Sequence, residues 1–169
     1  MKTDLYWIES PTPGRLAVMP RPRGGDWLAD EVRAWRAAGV NVVLSLLTST
    51  EVGNFDLTQE GALCQAEGME FLTFPITDRT APTSKLALSK LLKNLATRLE
   101  AGTNIAIHCR QGLGRAPLVA ICILLLAGLD PETASSRVSV ARGCLVPETA
   151  EQERWIAEFA KEFTALAPK

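Results

Sequence analysis

The sequence predicts an α/β fold in a single domain over residues 1–169: a mainly parallel sheet of four to five strands flanked by helices. Three observations predict it. Short apolar runs of strand length alternate with longer runs whose apolar residues recur at helical spacing. The run from Ala116 to Leu129 is apolar on nearly every face, as a helix buried against a sheet must be. The 169 residues, 47% hydrophobic and 22% charged, suit one core of ordinary size.

The elements follow in order. Leu5–Ile8 and Leu16–Met19 read as short strands separated by the turn cluster Ser10-Pro11-Thr12-Pro13-Gly14. Pro20 to Gly25 is a rigid basic loop, in which Arg21 and Arg23 read as solvated ahead of a role in substrate approach. Asp26 is the expected cap of a helix over 27–38 with Leu28, Val32 and Trp35 inward, and Gly39 ends it. Asn41 to Leu47 reads as a buried strand. Thr48 to Leu57 is polar and irregular, with room for one helical turn. Thr58 is the expected cap of a helix that reaches Gly68, with Leu63 and Ala66 inward and Cys64 as packing. Glu70–Phe74 is the next strand, and Pro75 and Pro82 bracket the loop after it.

Thr83 or Ser84 caps a long leucine-rich helix that turns at Gly102 into the strand Asn104–Ile107. The apolar helix after it runs to Gly128 and carries Cys122 as a core residue. Asp130 and Pro131 start another helix, which ends near Arg142. The last helix begins near Pro147, with Trp155, Ile156, Phe159, Phe163 and Leu166 on one stripe.

Composition narrows the function. Net charge is −1, so no global field draws the chain to nucleic acid or to an anionic membrane. The expectation is therefore no nucleic-acid partner and no membrane association. The four cysteines form no Cys-x-x-Cys pair and the chain has one histidine, which argues against a metal site; no cofactor is expected. The N-terminal residues contain no apolar signal core, so the reading is a reduced, cytoplasmic protein.

One stretch gathers the chemistry: His108-Cys109-Arg110-Gln111-Gly112-Leu113-Gly114-Arg115. It places a thiol after a strand, in a glycine-rich loop, at the start of a buried helix. A thiol is a poor nucleophile until it ionises, and a helix N-terminus favours the thiolate. Gly112 and Gly114 let the backbone turn tightly and aim the N–H groups of Arg110, Gln111, Gly112, Leu113 and Gly114 at one point, a phosphate-sized anion nest. Arg115 adds a planar guanidinium for a tetrahedral oxyanion. In sheets of this kind ligands bind beyond the C-terminal strand ends, which is where both Cys109 and Asp78 fall. Gly112-Leu113-Gly114 fits neither the dinucleotide fingerprint nor a nucleotide-hydrolase phosphate loop. His108 precedes the cysteine on a strand, so alternation turns it away from the substrate, where it can order the loop.

This Cys-x5-Arg stretch resembles the signature of the cysteine-dependent protein phosphatases. The resemblance covers about residues 15–160. Phe74 to Pro82 looks like the general-acid loop of the dual-specificity members, and Ala141 to Thr149 with Gln152 looks like the C-terminal segment of the kinase-associated-phosphatase branch. It implies a protein phosphatase working through a phosphocysteine, on a phosphorylated protein or a small phosphomonoester. Cys109 is then the nucleophile, Arg115 binds phosphate, Asp78 is the general acid and base, and Gln152 positions the attacking water. Arg110 and Gln111 shape the mouth of the pocket, and Arg79 is either a substrate contact or solvated. The family usually carries Ser or Thr after the signature arginine, and this chain has Ala116 there. That departure keeps a phosphate-binding module with little turnover as an alternative. A rhodanese-like sulfur carrier also holds a cysteine in a basic loop, but without an acid loop upstream.

Overall fold

A computed structural model describes residues 4–166, with side chains through Phe163. Five strands form one sheet in the order β1 (Tyr6–Ile8), β2 (Leu16–Met19), β5 (Ile105–His108), β3 (Val42–Ser45), β4 (Glu70–Thr73). Only the edge pair β1–β2 is antiparallel. The other pairs are parallel, with Ser45 and Met19 flanking His108 in register.

The strand alternation divides the core into two layers. Val18, Leu44, Ile105 and Ile107 pack on one face against α4 (Lys85–Glu100), α5 (Arg115–Leu126), α6 (Pro131–Arg142) and α7 (Ala150–Leu166). Ala17, Met19, Val43 and Ala106 pack on the other against α1 (Leu28–Ala37) and α3 (Glu60–Ala66). α5 is central: its residues from Arg115 to Leu125 are all buried, and it packs against α4, α6 and α7. At roughly 25 cal/mol per Å² of apolar area, a helix buried on every face is a principal source of stability.

Several boundaries differ from the sequence reading. Asp26 does not cap α1: Gly25, at φ 61°, opens a short 3-10 turn through Trp27, and α1 begins at Leu28 with no side-chain cap. Thr58 does not cap α3 either; Gln59 sits at that end with helical dihedrals. Ala66 is exposed, Leu63 is half-buried, and Cys64 and Glu60 face inward. The irregular stretch after β3 contains a true helix, α2 (Ser49–Asn54), closed by a reciprocal cap between Thr48 and Glu51.

Ser84, not Thr83, caps α4, whose buried stripe is Leu88, Leu92, Leu95 and Leu99, while Leu86 stays exposed. Asp130 caps α6 as expected, and Gly143 ends it in the left-handed conformation. α7 starts at Ala150, three residues later than read, with Trp155, Ile156 and Phe159 buried; the Leu166 side chain lies outside the described residues.

Candidate active site

The loops after β3, β4 and β5 open at one sheet edge, and together they bring Glu51, Asp78 and Cys109 around Arg115. Cys109 lies at the base of a cleft of about 200 Å³ whose walls include Asp78, Arg110, Gln111, Leu113 and Glu148. Among the described residues, the backbone N–H groups from Arg110 to Gly114 have no acceptor within the protein. Unspent backbone donors in one short loop favour an anion.

The loop conformation has identifiable supports. Gly112 is left-handed at φ 74°, and a Cβ there would lie 3.0 Å from the Met19 carbonyl carbon and oxygen. Arg142, at the end of α6, donates from Nε to the Gly112 carbonyl and from Nη2 to the Gln111 carbonyl, both at 3.1 Å. Its guanidinium also stacks on Tyr6. At the mouth, Arg21 and Arg110 both approach the Phe55 ring, and the Arg21 amide donates to the Arg110 carbonyl. Arg23 turns away to Glu31 and Trp27.

Arg115 is 1% exposed and almost fully committed. Its Nη1 and Nη2 each donate to one oxygen of Glu51 at 2.8 Å, a bidentate pair. Nη1 also donates to the Ile76 carbonyl at 2.8 Å, and Nη2 to Asp78 Oδ1 at 3.0 Å. Of its side-chain nitrogens, only the buried Nε has no partner. The guanidinium fork expected for a phosphate is therefore spent on Glu51, which leaves the unpaired Nε and the Nη2 hydrogen held by Asp78 on its other edge. Burial by itself would lower the Arg115 pKa, but Glu51, Cys109 and Asp78 outweigh it and raise it. Burial likewise pushes the Glu51 carboxyl up, and its bonds to Arg115 and to the Thr48 amide reverse that, leaving it below the usual carboxylate range.

His108 is fully buried and points into the α1–α3 layer, as strand alternation requires. Its Nε2 lies 2.6 Å from Glu60 Oε1 and its Nδ1 3.4 Å from the Cys109 carbonyl oxygen. Gln152 is also fully buried. Its Nε2 donates to the Thr80 carbonyl and its Oε1 accepts from the Thr149 amide, so it braces the Asp78 loop and does not line the cleft. The carboxylate that does reach the cleft from that segment is Glu148, paired at 3.5 Å with Arg79, itself left-handed at φ 62°. Gly114 makes room for this junction: a Cβ there would come within 2.8 Å of Gln152 Nε2 and 3.0 Å of Glu148 Oε1.

The other cysteines do not line the cleft. Burial and the neighbouring Glu60 push the Cys64 thiol up to about 12, and burial pushes Cys122 up as well. Cys144 is exposed, and none of the four is in a disulfide. Among the described residues, no group of three or more His, Cys, Asp or Glu is placed to hold a metal, and no helix is long and apolar enough to cross a membrane.

Sequence reasoning missed Glu51 and Glu60 as parts of this site. Thr48-x-x-Glu51 is a readable capping box, but nothing in it announces Arg115 as a further partner. Glu60 carries no local signal of its tie to His108.

Known proteins resemble this chain in fold and sequence. The crystal structure of kinase associated phosphatase, with its catalytic cysteine replaced by serine, matches at TM-score 0.88 and 21% identity over 99% of both chains, which shows the fold. The structure of Tk-PTP in the active form matches at TM-score 0.76 and 28% identity over 95% of this chain and 99% of that one. Cyclin-dependent kinase inhibitor 3 of Rattus norvegicus is 28% identical over 132 residues, 77% of this chain and 62% of that protein. Protein tyrosine phosphatase type IVA 2 of Mus musculus is 34% identical over 80 residues, 47% of this chain and 48% of that protein. The chain thus spans less than two thirds of the length of these curated relatives. A family model described as Swiss Army Knife protein, DSP-PTPase phosphatase domain, matches residues 4–159. With that match over most of the chain, the chain belongs to the PTP-SAK family of DSP-PTPase phosphatase domains.

Proposed function

We propose that the chain hydrolyses phosphomonoesters on phosphorylated proteins or small molecules through a phosphocysteine, in a reducing, cytoplasmic setting that keeps Cys109 as a thiol. The observation that carries this reading is the set of donors without acceptors in the loop that follows Cys109 and in Arg115: the 110–114 amides and the Arg115 Nε–H. They match the equatorial oxygens of a phosphoryl group, whose charge needs electrostatic rather than covalent help. The phosphate takes Arg115 Nε–H and the Nη2 hydrogen now on Asp78, which frees that carboxyl for chemistry.

The Cys109 thiolate then attacks phosphorus in line. A P–S bond forms, the P–O bond to the leaving group breaks, and Asp78 gives its proton to the departing oxygen. In the second step water attacks phosphorus, its proton returns to Asp78, and the P–S bond breaks to regenerate the thiolate. Arg110, beside Asp78 at 3.8 Å, and Gln111 set the shape of the mouth. Gln152 acts through the loop it braces, rather than on the water directly.

Ala116 favours a second reading, a phosphate-binding module with slow turnover. It stands fully buried in the first turn of α5, where it has no hydroxyl to offer the leaving thiolate. Rapid-mix hydrolysis of an aryl phosphate tests both readings. A burst of one equivalent, then slow turnover that Ala116→Ser accelerates, supports the phosphatase. Phosphate binding with no release above the Cys109→Ser background supports the binding module.

A further inference from the structure

The buried pair behind the nucleophile carries an assignment beyond the proposed reaction. His108 and Glu60 are 0% and 1% exposed, on β5 and α3, and they meet at 2.6 Å. Both ring nitrogens face acceptor oxygens: Nε2 faces Glu60 Oε1 and Nδ1 faces the Cys109 carbonyl. A neutral imidazole has one N–H, so one of the two contacts would set a lone pair against an oxygen. A doubly protonated ring satisfies both. Protonating Glu60 instead would also supply a hydrogen, but imidazole is the stronger base in water by roughly two pH units. That order of basicity favours the proton on nitrogen. The pair is then neutral overall and hydrogen-bonded, the condition under which buried charges are tolerated.

We propose that Glu60 is a positioning residue for Cys109: its carboxylate holds His108 as a buried imidazolium whose second N–H bonds to the Cys109 carbonyl, which sets a fixed cation behind the thiolate loop. The value of this device to catalysis rests on the phosphatase reading; its existence does not. The groups around the pair leave the cation to Glu60. From α3, Cys64 stays a neutral thiol, since burial and Glu60 push it up to about 12. From α1, Trp35 lies with its ring centroid 6.3 Å from the imidazole. Ser45 of β3 and Met19 of β2 flank His108 in register, and neither carries a charge. Among the described residues Glu60 has no ion-pair partner except His108.

His108 is the sole histidine of the chain, so its ring nitrogens can be read without assignment mutants. Long-range 1H–15N spectra of the full chain, labelled at histidine, are expected to show both nitrogens protonated in the folded wild type. Glu60→Gln, which can still donate to Nε2, is expected to leave the neutral Nδ1–H tautomer. In a Cys144→Ser background, which removes the exposed thiol, the pH midpoint for iodoacetamide capture of Cys109 is expected to rise by about one unit in Glu60→Gln. That makes capture about tenfold slower below the midpoint. A neutral ring in the wild type overturns the proposal, and so does a Glu60→Gln capture curve that superimposes on the wild type. An imidazolium in a chain that releases no phosphate would refute the phosphatase reading and leave this assignment standing.

Discussion

The loop from His108 to Arg115 and the segment from Thr48 to Glu60 contribute unequally to what the sequence announces and almost equally to the site. The first carries the thiol, the glycines and the arginine. The second carries the carboxylates Glu51 and Glu60, one bonded to Arg115 and the other to His108. The difference teaches that reactive groups advertise themselves through rare residues in strained loops, whereas the groups that orient them are ordinary acids on short helices. A preorganised site needs both, because a guanidinium free to swing or an imidazole free to flip dissipates the field it should apply.

Substitutions should separate the two regions. The largest effect is expected on the loop: Cys109→Ser should reduce aryl phosphate turnover to background in a stopped assay while phosphate binding survives. Arg115→Lys comes next. An ammonium cannot keep two bonds to Glu51 and still offer an Nε–H, so kcat should fall by about 10²–10³-fold, the range seen when one preorganised oxyanion donor is lost. Asp78→Asn should cost a similar factor, with its effect largest on substrates with poor leaving groups, as expected of a general acid.

The supporting segment should show itself in stability. Glu51→Ala leaves the buried Arg115 guanidinium without its bidentate partner, and urea unfolding should register a loss of roughly 3–5 kcal/mol. Its pH dependence has a definite sign. The folded Glu51 carboxyl lies below its unfolded value, so its contribution is complete above the unfolded value and disappears as pH falls through the folded one. The gap in Tm between wild type and Glu51→Gln should be widest near neutral pH and narrow as pH falls below the ordinary glutamate value of about 4.3. The smallest effect belongs to Cys144→Ser, an exposed site outside both regions, where stability should stay within about 0.5 kcal/mol.

How far the sequence could be read follows the same division. The sheet, α5 and the Cys109 loop were readable because burial on every face and a Gly-x-Gly turn leave strong patterns. The inward turn of His108 followed from period-two alternation on β5. The cap boundaries at Asp26 and Thr58 were misread because a 3-10 turn at Gly25 and a helical Gln59 replaced side-chain caps. Glu60 was unreadable, since its partner is on another element far along the chain and a lone carboxylate at a helix start ordinarily reads as solvated. Gln152 was placed in the right neighbourhood, but which side chain of that segment reaches the cleft depends on how α7 docks, and it is Glu148 that does.

The most direct test of the account is acid quench of the enzyme during turnover of an aryl phosphate, followed by mass spectrometry of the Cys109 peptide. The account predicts a phosphoryl group on Cys109, accumulating in the wild type, depleted by Ala116→Ser and absent from Cys109→Ser. Turnover without a phosphorylated Cys109, or with the phosphoryl group on another residue, would contradict it.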